Sequence, residues 1–194
     1  MAERRRGNDL ERALLEAAWL ELTNNGYSGL TMEDVAERAG TSRPVIARRW
    51  TGKAELAVAA IRQEMAKYPL DVPDRGDVRT ELMEFLDRAS LRAVGLAAAF
   101  ALLTSEFFSD VGSGPKSLHE ALTRGELEVE KHILRRAVTR QEVRPSALEA
   151  PVSTLLGDLF RHHAIMNFAP PPADLRRAWV DAIFLPLVRT EPIR

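Results

Sequence analysis

The chain has 194 residues, the length of one domain or of a small domain fused to a larger one. Hydrophobic residues make up 45% and charged residues 28%, a composition able to bury a core. Lys and Arg number 27 against 28 Asp and Glu, so the net charge of −1 does not by itself point to a nucleic-acid partner. The lack of cysteine excludes disulfides, thiolate metal sites and cysteine nucleophiles, and it suits a reducing compartment, so a cytoplasmic location is expected. Arg4, Arg5 and Arg6 lead into no apolar stretch, so no signal peptide is expected. The longest uncharged run, Ala93 to Ser105, has 13 residues. A membrane span needs about 20, so this run reads as a buried helix.

Helical periodicity runs through almost the whole chain, and strand alternation is absent, which predicts an all-α fold of about nine helices. Leu10, Leu14, Ala17 and Ala18 form the stripe of a first helix, which Asn24-Asn25-Gly26 ends. Thr31 starts a short second helix, with Asp34 as its capping partner, and Gly40 closes it. Ser42 caps a third helix carrying Pro44 in its first turn, where a missing N–H costs little. That helix stops near Trp50, and a fourth runs from Lys53 to about Lys67. Pro69, Pro73 and Gly76 read as a linker. Helix resumes at about Asp77 and leads through the apolar run to Phe107 and Phe108. Ser109 to Pro115 reads as a loop, Lys116 to Thr139 as a long charged helix. A further helix reaches about Phe168, Pro170 to Pro172 break it, and the last runs from Asp174 to Val188.

The informative block is Leu30 to Lys53, which reads as helix, three-residue turn, helix. Val35, Ala36 and Ala39 give the second helix a small apolar face, and Ile46 and Trp50 give the third a face that packs back. Its other face shows Arg43, Val45, Ala47 and Arg48. Between Gly40 and Lys53 stand four basic residues and no acidic one. A short supported helix with a basic outer face and small residues between is the shape that enters a major groove. Arginine there can bind guanine O6 and N7 through two hydrogen bonds, and small side chains can touch a thymine methyl.

Through Asn24 to Tyr27, Leu30-Thr31, Val35-Ala36, Ala39-Gly40, Ser42, Trp50 and Gly52-Lys53, the segment from Leu10 to Ile61 resembles the DNA-binding domain of the tetracycline-repressor (TetR) family of transcriptional regulators. The resemblance implies a helix-turn-helix head over residues 8–53 and a helical ligand-binding and dimerisation domain over 54–194. It also implies a homodimer on a near-palindromic operator. The family's DNA contacts fall on Thr31, Thr41, Ser42, Arg43, Pro44, Val45, Ala47, Arg48, Arg49 and Lys53. Ala47 departs from the pattern, since the family carries an aromatic there, commonly tyrosine; Arg48 and Arg49 are the candidate replacements for that phosphate anchor.

Beyond Ala54 the charge is nearly balanced, so this part is not expected to be a second nucleic-acid surface. Phe85, Phe100, Leu103, Phe107 and Phe108 either line a small-molecule pocket or fill the bundle core, and His162 is the first choice for a ligand-contacting histidine. No metal site or cofactor is expected: His162 and His163 point about 100° apart on a helix, while Asp158 and His162 can form a surface pair. Val152, Leu155, Leu156, Leu159, His163 and Met166 form one stripe and Leu175, Trp179 and Ile183 another, and together they suit either a two-fold dimer interface or internal core. With no phosphate-binding glycine loop, G-x-S-x-G or HExxH, an enzyme is not expected. The competing reading is a helical binding or adaptor protein that has lost specific DNA recognition.

Overall fold

A computed structural model describes residues 7–103 and 128–189. The expected Ser109–Pro115 loop, the first half of the long charged helix, and Leu103 (its side chain), Phe107, Phe108 and His119 lie outside the described residues. The regular elements of the described part are all helical, with one isolated antiparallel bridge between Val143 and Arg189. It divides into two compact units, one holding residues up to Lys67 together with the stretch from Ala98, the other holding Tyr68–Ala97 and the C-terminal part.

The first unit opens with α1 (Asn8–Gly29), α2 (Met32–Arg38), α3 (Arg43–Ala47) and α4 (Lys53–Ala66). The α1 stripe buries Leu14, Ala17, Ala18 and Leu22, and α4 answers with Leu56, Ala57, Ala60 and Ile61. Small residues dominate both faces, so the helices can approach closely. Gly26 leaves helical geometry at φ 68°, a conformation open to glycine, so the chain bends before Tyr27 and Leu30 turn inward.

The second unit contains α5 (Val78–Leu103) up to residue 97, α6 (residues 128–139), α7 (Leu155–Asn167) and α8. The last starts as Ala173–Ala178, widens to a π-helical stretch at Trp179–Phe184 and closes at Leu185–Val188. Two short 3-10 turns, Pro145–Leu148 and Val152–Thr154, stand where one longer helix start was expected. Phe85, Leu86, Ile133, Leu134, Leu156, Phe160, Val180 and Phe184 form its core.

The Pro- and Gly-bearing stretch after α4 is not a free linker. Leu70 and Val72 are buried in the second unit's core. The backbone of this stretch is tied down by arginines: Arg92 Nε donates to Tyr68 O at 2.6 Å and Arg136 Nη2 to Val72 O at 3.0 Å. Alternating apolar residues between prolines satisfy a core as well as a helix does, which composition alone does not reveal.

Candidate nucleic-acid interface

The turn between α2 and α3 is built from local chemistry. Thr31 Oγ1 accepts from Asp34 N at 3.1 Å and donates to Asp34 Oδ2 at 2.6 Å, closing the first turn of α2. At the other end Gly40 adopts φ 66°. Its N–H donates to Glu37 O at 3.0 Å and that of Thr41 to Ala36 O at 2.9 Å, a Schellman motif that satisfies the last carbonyls of α2 and redirects the chain. Ser42 stands at the N-cap of α3, but its exposed hydroxyl makes no capping hydrogen bond, unlike the expectation from sequence. Pro44 occupies the first turn, as expected.

Ile46 is fully buried and Trp50 nearly so, which pins one side of α3 against the unit's own core. The opposite side is open: Arg43, Pro44, Ala47, Arg48 and Arg49 are exposed, as are Thr31 and Ser42, while Thr41 and Val45 are half-buried. Three guanidinium groups therefore stand around a small, shallow surface. Arg49 Nη1 folds back to Val45 O at 3.2 Å, and Arg43 Nε lies 2.7 Å from Glu33 Oε1 on α2. Lys53, at the start of α4, holds its ammonium 4.5 Å from the centre of the buried Tyr27 ring, a cation–π contact that fixes where this charge sits. Thr51 closes the same corner by donating from its N–H and hydroxyl to Glu55 Oε2, and these two hydrogen bonds lower the Glu55 pKa below the ordinary carboxyl value.

One supporting group was not legible in the sequence. Glu21 on α1 is buried. It accepts from Arg38 Nε at 2.6 Å on Oε1 and from Asn25 Nδ2 at 2.6 Å on Oε2. This buried carboxylate ties the C-terminal end of α2 to α1, so the helix that carries the turn is held at both ends. A polar residue between Leu20 and Leu22 gives no periodic signal; the partner seventeen residues away is set by the helix crossing.

The second unit places the remaining candidates apart from one another. Phe85 is packed in the core of that unit, whereas Phe100 is half-buried in the first, and His162 is exposed. Asp158 is engaged by Thr154 Oγ1 at 2.8 Å and by Arg161, so it pairs with these and not with His162. Of the two apolar stripes, Leu156 and Trp179 turn inward, Val152, Leu155, Leu159 and Leu175 pack against the edge of the core, and Met166 and Ile183 are exposed together with Phe168 and Leu187. His163 is half-buried, its ring edge-on to Trp179 at 6.0 Å between centroids. Gly157 faces inward: a side chain there would come within 3.0 Å of Glu130 Oε2 on α6. Glu130 is buried with Oε1 unpartnered, and desolvation pushes its pKa up to about 8 against the pull of Arg161.

Comparison with known families finds two matches along the chain. Residues 14–60 match the family described as bacterial regulatory proteins, tetR family, and residues 72–183 match the tetracyclin repressor-like C-terminal domain. The chain belongs to the TetR family. An uncharacterized HTH-type transcriptional regulator of Mycobacterium bovis is 29% identical over 91% of this chain and 86% of its own length. The DNA-binding transcriptional repressor TetR of Mycobacteroides abscessus is 36% identical over 47% of this chain and 48% of its own. Among solved structures, a TetR transcriptional regulator from Agrobacterium tumefaciens aligns with a TM-score of 0.69 at 19% identity, over 95% of this chain and 97% of that one. As a TetR-family protein the chain is a helix-turn-helix, DNA-binding transcriptional regulator and not an enzyme. No helix among the described residues is long and apolar enough to cross a membrane.

Proposed function

We propose that this TetR-family regulator is a homodimeric repressor that reads a near-palindromic operator with α3 and is released when a small molecule binds its second domain. The observation that carries the DNA-reading half is the two-sidedness of α3. Ile46 and Trp50 are buried in the head, while Arg43, Ala47 and Arg48 stand exposed on a basic surface. A helix so held presents its arginines at a fixed depth, which is what base-edge recognition in the major groove requires. Arg43 and Arg48 read bases; Thr31, Thr41, Ser42, Arg49 and Lys53 contact phosphates; Pro44, Val45 and Ala47 form the close-approach surface. Ala47 leaves space where an aromatic would stand, and Arg49 supplies the phosphate contact in its place.

The dimer half rests on the exposed apolar side chains Met166, Phe168, Ile183 and Leu187, in the same C-terminal segment as the half-buried Leu155, Leu159 and Leu175. Pairing these between two copies removes them from water and brings two heads to one duplex, as an isologous contact does. An effector bound in the second domain shifts α4, which follows α3 after five residues, and so changes the separation of the heads. DNA and effector then weaken each other's binding by the same factor.

The test is selection of bound sequences from a random DNA pool with the purified full chain, followed by salt titration on the enriched duplex. A near-palindrome with a steep salt dependence supports the reading. Arg43→Ala and Arg48→Ala are expected to relax the enriched motif at separate positions while sedimentation still shows a dimer. Enrichment of no sequence at low salt, with no preference among duplexes, favours the adaptor reading instead.

A further inference from the structure

Glu33 and Arg43 form an arrangement that stability does not explain. Arg43 is the first residue of α3, on the side of the head that carries Ala47 and Arg48. Its Nε lies 2.7 Å from Oε1 of Glu33, in the first turn of α2, with both side chains nearly two-thirds exposed. An ion pair so exposed contributes at most about 1 kcal/mol, often nothing. Glu33 also places a negative charge on a surface that must approach phosphates, where like charge is unfavourable. Asp34 beside it already supplies a first-turn carboxylate for the α2 dipole and makes the capping contact with Thr31.

The geometry assigns Glu33 a different task. A guanidinium has two edges suited to two-point hydrogen bonding, one made by Nε with a terminal nitrogen and one by the two terminal nitrogens. Glu33 Oε1 stands beside Nε as an ion-pair contact, and neither terminal nitrogen of Arg43 makes a hydrogen bond among the described residues. We infer that Glu33 is a positioning residue that holds Arg43 through Nε, so that its terminal nitrogens face a guanine of the operator half-site and discriminate it from the other bases. This inference rests on the reading of Arg43 as a base contact. A long side chain that is pre-oriented loses less rotamer freedom on binding, and an arginine aimed at one edge has less freedom to settle on a neighbouring phosphate, which carries no sequence information. Pairing with Arg43 also neutralises the acidic charge where it would face the duplex.

The experiment uses Glu33→Asp and Glu33→Ala in the full chain, with Arg43→Ala as the reference. Binding is measured on the selected operator and on duplexes substituted at each half-site position, at two salt concentrations. Glu33→Asp keeps the charge and the helix-terminal carboxylate but shortens the reach by one methylene. It is expected to lower discrimination about tenfold at the single position that Arg43→Ala relaxes, with the salt dependence and thermal midpoint unchanged. Glu33→Ala is expected to lose the same discrimination and to bind unrelated DNA more tightly, because a charge that repels phosphates is gone. If Arg43→Ala relaxes one position and both Glu33 variants discriminate there like the parent, the positioning role is overturned while the reading of α3 stands. If Arg43→Ala relaxes no position, both fall together.

Discussion

The two units handle charge in opposite ways. In the head, the arginines around α3 stand in solvent, and the ion pair of Arg43 with Glu33 is exposed and weak; the buried carboxylate of Glu21 braces α2 through Arg38. In the second unit the charges turn inward. Glu81 is fully buried; it accepts from Arg136 Nη2 at 2.7 Å and, on its other oxygen, from the Arg75 N–H at 3.0 Å, with Arg140 Nη2 3.1 Å away as an ion-pair contact that makes no hydrogen bond. Arg140 in turn reaches Asp74 and Glu142. This network ties the stretch before α5 to α5 and α6. Arginines left exposed are available to a partner outside the molecule, whereas arginines buried against carboxylates are committed to the chain's own shape. The same residue type is therefore left open to a partner in one unit and serves architecture in the other.

The contrast can be broken by mutation, and the largest effect belongs to the buried network. Glu81→Gln leaves Arg136 without its carboxylate in a half-buried site, and should cost about 3–5 kcal/mol, read as a lower urea midpoint with unchanged slope. A parent-like midpoint would show that the network is replaceable by water. Glu130 gives a pH-dependent counterpart. Its folded pKa of about 8 lies above the 4.5 of an ordinary glutamate, so its neutral form suits the folded state. The contribution of this group is full below pH 4.5 and is lost progressively as the pH rises from there through 8. Glu130→Gln removes the ionisation, so it should match the parent near pH 4.5 and exceed it by a few kcal/mol at pH 8.5 in denaturant titrations. Equal pH profiles would place water or a cation beside Glu130.

On the head the effects move from stability to recognition. Arg48→Ala should cost about 1–3 kcal/mol of operator binding in titration, with the thermal midpoint nearly unmoved, because its exposed guanidinium makes no hydrogen bond or ion pair among the described residues. A large fall in midpoint would make Arg48 architectural, like Arg136. Gly40→Ala is the smallest effect, about 1 kcal/mol of stability by denaturant titration, since its φ of 66° disfavours any side chain although nothing stands in the way of one.

How much of this was legible in the sequence follows from the range of each interaction. The turn was readable: Thr31 with Asp34, Gly40 and Pro44 act within a few residues of one another, and the burial of Ile46 and Trp50 follows from helical spacing. The silent hydroxyl of Ser42 was not: Pro44 has no N–H to cap, and the Val45 N–H donates to the Ser42 carbonyl instead. Nor were Glu21 with Arg38, Glu33 with Arg43, or Glu81 with Arg136, whose partners lie 10 to 55 residues away and meet only once helices cross. The burial of Leu70 and Val72 within the linker was hidden for the same reason, since their core lies far along the chain.

The sequence by itself determined the all-α class, the helix-turn-helix and which side of α3 is basic. Periodicity, capping and turn chemistry are local, and local rules survive folding. Tertiary structure decided which of the arginines are committed and which are free, that Leu156, Trp179 and Gly157 face inward while Met166 and Ile183 face out, and that a glutamate at the bundle's centre keeps its proton to about pH 8. Burial and pairing depend on residues distant in the chain, and no local pattern carries that information.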